Sequence, residues 1–263
     1  MSQYGVDKDF WMSFPSGDSG LSKQLTTFGF REPFNCRHYV KFVTPNDSIL
    51  DVGSNIGYFV LLGAHARKIT CVEPLGELVT TLKENIARNG LTDKCEVLQK
   101  AVGPRGTLHL EVNPHMNLSK IVGEKGANTV EVESVPLADL VKEHPSNMIR
   151  MDVEGFEYDI LHNQIPEEIN KVSIELHTGL LGTKKSNRLM KYFHEEGFRL
   201  KYFIEDLPLR LYPFLSVLKT PELFKFISYV RKDISVEDAS ESIHKGRSIK
   251  YLYLVRGNGV KKN

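Results

Sequence analysis

The chain has 263 residues, 41% hydrophobic and 25% charged, which suits a globular chain able to bury a sizeable core and excludes a disordered one. Lys and Arg (34) nearly balance Asp and Glu (33), so no overall field draws the protein to nucleic acid or to an anionic membrane. No apolar run approaches the roughly 20 residues that cross a bilayer, and the N-terminus carries Asp7, Asp9 and aromatic residues where an export signal would be basic and then apolar, so a soluble, cytoplasmic protein is expected.

Residues 1–47 hold scattered aromatics, among them Tyr4, Phe10, Trp11, Phe14, Phe28 and Phe30, with turn formers at Pro15-Ser16-Gly17-Asp18. They read as an N-terminal cap of short helices. Residues 48–263 form the main domain. Ser48 to Val52 is an apolar strand that ends in a glycine-containing turn, and Tyr58 to Ala66 is helical. A second strand spans Lys68 to Val72. Leu75 to Asn89 has helical spacing at Leu78, Leu82 and Ile86, closed by Gly90, and Glu96 to Gln99 gives a third strand.

Thr107 to Val112 and Thr129 to Val135 alternate apolar and polar residues, which predicts two extra strands or a hairpin around 113–128. Leu137 to Glu143 follows as a helix, Met148 to Val153 as the fourth core strand, Tyr158 to Asn163 as a short helix and Lys171 to Leu176 as the fifth strand. Asn187 to Glu196 is helical and stops at Gly197, and Arg199 to Ile204 and Ser248 to Val255 are the terminal strands. Alternating strands and helices predict a doubly wound, mostly parallel α/β sheet covered on both faces. Cys36, Cys71 and Cys95 are odd in number and form no Cys-x-x-Cys pair, so they read as reduced thiols, with Cys71 buried in its strand.

Residues 205–248 exceed what joins two antiparallel strands. They are rich in large apolar residues, interrupted by Pro208, Pro213 and Pro221, and are expected to fold as short helices in a helical insertion. The expected role is a lid that selects the acceptor. Packing against the sheet edge, a homodimer contact and a membrane contact through 208–232, aided by Lys219, Lys225, Arg231 and Lys232, are the alternatives.

The loop Asp51-Val52-Gly53-Ser54-Asn55-Ile56-Gly57 lies between the first strand and its helix, at the sheet edge where open α/β sheets bind ligands. Glycines there allow close backbone approach and positive φ. Glu73 follows the second strand, about 20 residues on, where a carboxylate grips ribose hydroxyls. A dinucleotide site would want Gly-x-Gly-x-x-Gly, whereas Gly53 and Gly57 are four apart with Asn55 between them. Asp51 and Asn55 suit a ligand with an ammonium and a carboxylate. S-adenosylmethionine has that end.

Asp152, at the carboxyl end of the fourth strand, is positioned to orient such a ligand or the acceptor, or to act as general base. Glu154 and Glu157 follow, with helix N-terminal acids as the plainer account of both. Glu175 and His177 have the same parity, so they share one face and point toward the crevice, where His177 could take a proton. Asp152, Glu175 and His177 could also converge on a divalent ion. No compact ligand motif marks one, so no metal residues are assigned.

From about Phe30 to His177 the sequence resembles the FkbM family of methyltransferases. The resemblance is carried by Phe30-Arg31-Glu32-Pro33, Asp51 to Tyr58, Val72-Glu73-Pro74, Asn85 to Gly90, Lys100-Ala101-Val102-Gly103, Met151-Asp152-Val153-Glu154-Gly155-Phe156-Glu157 and Val172 to His177. Ser54 stands where Ala is more usual. The resemblance implies a Rossmann-like class I methyltransferase fold, a seven-stranded sheet with one antiparallel strand, and S-adenosylmethionine as cofactor. It implies that Tyr58 belongs to the nucleotide loop, that Pro74 accompanies the ribose acid and that the backbone at Ala101 lies near the adenine. It also implies O-methylation of a small molecule or glycan. Methylation of RNA or protein, or cofactor binding without turnover, are the other readings. For RNA the best local patch is Lys184, Lys185, Arg188 and Lys191, which with Glu195 and Glu196 nearby reads first as a solvated helix face, so nucleic acid is not the expected partner.

Overall fold

The computed structural model describes residues 9–15, 21–28, 31–112, 120–122, 126, 128–162, 164–205, 230–243 and 249–257. Two cap helices, α1 (Leu21–Phe28) and α2 (Pro33–Phe42), precede β1 (Ser48–Val52), α3 (Tyr58–Leu62), β2 (Lys68–Val72), α4 (Gly76–Arg88) and β3 (Cys95–Leu98). Four strands and a helix follow: β4 (Ala101–Val102), β5 (Gly106–Glu111), β6 (Lys120–Val122), β7 (Thr129–Val135) and α5 (Leu137–Glu143). The chain then runs through β8 (Met148–Met151), α6 (Glu157–Leu161), β9 (Lys171–Leu176) and α7 (Thr178–Glu195). It ends with β10 (Phe198–Glu205), β11 (Val230–Ile234), α8 (Val236–Ile243) and β12 (Lys250–Arg256).

The main sheet has eight strands in the order β11-β10-β12-β9-β8-β1-β2-β3. β3, β2, β1, β8 and β9 pair in parallel, and β12 runs antiparallel between β9 and β10. Beyond the expected seven strands, β11 adds a second reversed strand at the edge. Its sequence, Val-Arg-Lys-Asp-Ile, keeps charges at the edge of the sheet formed by the described residues, where they oppose pairing with another chain. The alternating segments form the expected antiparallel pair, β5 with β7, within a small sheet of order β4-β7-β5-β6.

Both faces of the main sheet are covered, which explains the apolar runs of its strands. Along β1, Leu50 and Val52 face a core built with α5, α6, α7 and α8, while Ile49 faces the opposite core with Tyr39, Phe59, Leu78 and Leu82. α4 fits its groove because Leu78, Val79, Leu82 and Ile86 fall on one face. The cap is fastened to the sheet by the Tyr253 hydroxyl on β12, which donates to the Asn35 carbonyl at 2.9 Å. Cys36, Cys71 and Cys95 are free thiols, and Cys71 is buried as expected.

Three elements differ from expectation, the first being α3, which ends at Leu62 with Gly63 as its cap, short of Ala66. α7 begins at Thr178, nine residues before Asn187, and consists of helical pieces joined at Gly182, where φ is +71°. In the 205–248 insertion, Val230–Ile234 is a strand paired with β10, and only α8 is a described helix. This described part packs on the sheet, with Val236, Ala239 and Ile243 in the core. Residues 206–229, and with them most of the proposed lid and membrane contact, lie outside the described residues. No helix among the described residues is long and apolar enough to cross a membrane.

β1 lies between β2 on one side and β8 on the other. The chain leaves β1 toward β2 and returns later to β8, so the loops after β1 and β8 diverge and open a crevice at their carboxyl ends.

Candidate active site

The turn after β1 is shaped by backbone contacts. The N–H groups of Gly53 and Ser54 both donate to the Val72 carbonyl, at 2.9 and 3.2 Å. Gly53 has φ +77°, and a Cβ there would stand 1.9 Å from the Asp152 carbonyl oxygen, so only glycine lets this loop lie against the end of β8. Asn55 also has positive φ, +51°. Its side-chain oxygen accepts the Ile56 N–H at 2.7 Å, while its own N–H donates to Glu73 Oε2 at 3.0 Å. Glu73 Oε1 accepts the Leu75 N–H at 3.0 Å. Burial pushes the Glu73 carboxyl up to about 7, against the pull of those two amides toward the ionised form.

This loop is one wall of an open cleft of about 660 Å³. Gly53, Asn55, Glu73 and Pro74 form one side, Leu78, Ala101, Val102 and Leu110 give an apolar side, and Asp152 and Glu154 close the end. Six of the nine expected cofactor residues therefore line one space. Gly57 lies behind the loop, its Cα hydrogens turned toward Leu82, at the start of α3. Tyr58 lines a second recess of about 420 Å³ with Arg31, Phe59 and Arg150, and its hydroxyl donates to the Arg31 carbonyl at 3.3 Å. Gly53, Asn55, Asp152 and Glu154 line both spaces, so the recess adjoins the cleft.

Asp51 is a correction to the expected site. It is 1% exposed and lines neither space. Its register partner on β8 is Arg150, whose Nη1 stands 3.3 Å from Asp51 Oδ1 and donates to the Gly53 carbonyl at 2.9 Å. Nη2 of the same guanidinium donates to Asp152 Oδ2 at 3.0 Å, and the group lies 4.3 Å over the Phe59 ring. Burial opposes its charge, but Asp51 and Asp152 more than offset that and hold it charged. Asp51 thus shapes the loop from beneath through Arg150.

Asp152, Glu175 and His177 come together as their positions in the sequence suggested. Nε2 of His177 is 4.0 Å from Asp152 Oδ1, 3.7 Å from Glu175 Oε1 and 3.2 Å from Glu154 Oε2, while Nδ1 is hydrogen-bonded to Glu157 Oε1. Burial works against a charged imidazole, yet the bond to Glu157 and the other carboxylates push the ring up to about 10. In these surroundings, with no cation bound, the carboxylates favour the protonated ring over the neutral base that its residue type suggested. Burial raises Glu154 to about 7 and Glu175 well above the carboxylate range.

Glu157 starts α6, as a helix N-terminal acid would, and is also fully buried against His177. Sequence reasoning did not single out Arg150. A lone charge within Met148-Ile149-Arg150-Met151, on the same face as Asp152, was the available signal for a buried pair. Arg31 entered only through a resemblance. In the structure it pairs with Glu32, and that acid, with Glu175 and Asp152, keeps it charged despite its burial.

The model of the methyltransferase FkbM domain matches residues 51–200, more than half of the chain. No curated protein is similar to the chain in sequence. Among solved structures, a putative tRNA (m1A22) methyltransferase of Streptococcus pneumoniae in complex with S-adenosyl-L-methionine is similar at a TM-score of 0.47 and 12% identity, covering 87% of this chain and 75% of that one. Precorrin 8w decarboxylase of Methanobacterium thermoautotrophicum has a TM-score of 0.44 and 12% identity over 85% of this chain and 90% of its own. The TYW2 protein of Pyrococcus horikoshii in complex with MeSAdo has a TM-score of 0.43 and 11% identity over 89% and 67%. These likenesses bear on none of the residues above. With the domain match over residues 51–200, the chain belongs to the FkbM methyltransferase family.

Proposed function

We propose that the protein transfers a methyl group from S-adenosylmethionine to a hydroxyl of a small molecule or glycan. The residues present fit the cofactor. Glu73 is the ribose acid, the apolar wall of Leu78, Ala101, Val102 and Leu110 suits adenine, and Gly53 leaves space that a Cβ would fill. The adjoining recess carries both signs of charge, Arg31 and Arg150 with Asp152 and Glu154, as the carboxylate and ammonium of a methionine end require.

When bound, the cofactor supplies an activated methyl on a sulfonium, so alignment and water exclusion carry much of the rate. The chain's own task is to hold the acceptor oxygen at the junction and receive its proton. Asp152 is held there by Arg150 through Oδ2, and its Oδ1 has no hydrogen-bond partner among the described residues. Glu154 shares the junction.

The observation that carries the small-hydroxyl reading is this concentration of carboxylates where the two spaces meet. Carboxylates accept hydroxyl protons and repel a phosphate backbone, whose binding needs Lys and Arg. The basic patch weighed for RNA adds little, because Lys185 pairs with Asp159 at 2.8 Å and Lys191 with Glu195 at 3.5 Å. Incubation with methyl-labelled cofactor and fractionated cell extract tests the reading. Label should enter small hydroxyl compounds or glycans. Label in RNA or protein would replace this acceptor class, and no label in any fraction would favour binding without turnover.

A further inference from the structure

We propose that Asp152, Glu175 and His177 form a site for one divalent metal ion of the manganese-to-zinc series, beside the cofactor cleft. One oxygen of each carboxylate and one ring nitrogen lie within 4.8 Å of one another. Ligand bonds of about 2.0–2.2 Å require donor atoms roughly 3 Å apart, so the three need only small inward shifts. They project from the ends of the adjacent strands β8 and β9, which hold them in place.

A second observation points to a ligand. Asp152 Oδ1, Glu175 Oε2 and His177 Nε2 are buried with no hydrogen-bond partner among the described residues. Glu175 and His177 are each only 6% exposed. Leaving such atoms unmatched is costly, and a cation would satisfy all three at once. The outer atoms are already held: Arg150 takes Asp152 Oδ2 at 3.0 Å, and Glu157 takes His177 Nδ1. An imidazole fixed by a carboxylate at one nitrogen presents the other inward, the usual support of a metal-ligating histidine. Glu157 is therefore a positioning residue.

Charge leads the same way. Asp152, Glu154, Glu157 and Glu175 all lie within 4.0 Å of the His177 nitrogens. Of the two nearby guanidiniums, Arg31 is paired with Glu32, and Arg150 is shared between Asp51 and Asp152. With Glu154 and Glu175 ionised, even a protonated imidazole leaves negative charge in excess, and a divalent ion would favour that ionised form by supplying the missing positive charge. Two carboxylates with one imidazole favour Mn²⁺ to Zn²⁺ over the all-oxygen preferences of Mg²⁺ and Ca²⁺. An ion here would stand next to Glu154 at the junction and polarise an acceptor hydroxyl. That consequence rests on the methyl-transfer reading; the site itself does not.

The competing account is a buried imidazolium bridging to Glu154, 3.2 Å away, with no metal. Chelator-treated full-length protein titrated with Mn²⁺ alone, the free ion followed by electron paramagnetic resonance, separates the two. Wild type should bind one Mn²⁺ per chain, Glu175→Gln and His177→Gln should abolish that binding, and Glu157→Gln should weaken it by about 10- to 100-fold. Zn²⁺ should compete for the site. Mn²⁺ should also raise the thermal midpoint of wild type, a readout that needs no variant. No stoichiometric binding and no midpoint shift in wild type, or unchanged binding in folded Glu175→Gln or His177→Gln, would overturn the proposal. Titration of the same samples with S-adenosylhomocysteine reports on the cofactor cleft separately, so failure of one reading is distinguishable from failure of the other.

Discussion

Arg150 and Asp51 face each other across the β1–β8 register, with Nη1 3.3 Å from Oδ1 and both side chains almost wholly buried. The guanidinium also holds the Gly53 carbonyl and the Asp152 carboxylate, so it joins the two loops that define the cleft. Removing one partner of a buried pair leaves the other charge uncompensated. Arg150→Met should therefore cost about 3–5 kcal/mol of stability, measured by urea unfolding. A loss below about 1 kcal/mol would mean that the pair does not hold the loops together.

Gly53 and Gly90 both have positive φ, +77° and +66°, but differ in what a side chain would meet. Nothing lies within 4 Å of a Cβ at Gly90, whereas at Gly53 it would stand 1.9 Å from the Asp152 carbonyl oxygen. Gly90→Ala should cost only the backbone term, about 1–2 kcal/mol. Gly53→Ala should cost well beyond that and also weaken binding of S-adenosylhomocysteine, because the loop must move off β8. Equal effects of the two substitutions on unfolding and on calorimetric affinity would refute the close approach.

Glu73 sets a pH dependence. Burial raises its carboxyl to about 7, and ribose hydroxyls donate best to the ionised form, so cofactor affinity should rise with pH through 7 and level off above 8. Between pH 8 and pH 6 the affinity should fall roughly tenfold. Stability runs the other way. A carboxyl whose folded pKa is raised contributes stability that is fully present below its unfolded pKa and is lost as pH rises through 7. Glu73→Gln should flatten the affinity slope and reduce the stability slope, to which Glu154 and Glu175 also contribute; calorimetry across this range, with unfolding at each pH, is the check, and an affinity slope that survives the substitution must come from another group.

Much of the fold was legible because its signals are local. The Gly53–Gly57 turn between a strand and a helix, the acid after β2 and the alternation in β5 and β7 are each contained in a short stretch of chain. What was missed depends on partners distant in sequence. Arg150 acquires its role from Asp51, ninety-nine positions away, and His177 is held at Nδ1 by Glu157, twenty positions away. The start of α7 was hidden because Gly179 and Gly182 are poor helix formers, although Leu181 between them is buried. β11 was hidden because Arg231, Lys232 and Asp233 give an edge strand no apolar alternation.

The most direct test of the central claim, that the cleft between the β1 loop and Asp152 holds the cofactor through Glu73, is a calorimetric titration of S-adenosylhomocysteine into wild type and Glu73→Ala, with NAD as the control ligand. The account predicts one site per chain in wild type, no comparable NAD binding and an affinity at least about tenfold weaker in Glu73→Ala, the loss expected when hydrogen bonds to a charged group are removed. Comparable NAD binding, or an unaltered affinity in a folded Glu73→Ala protein, would contradict it.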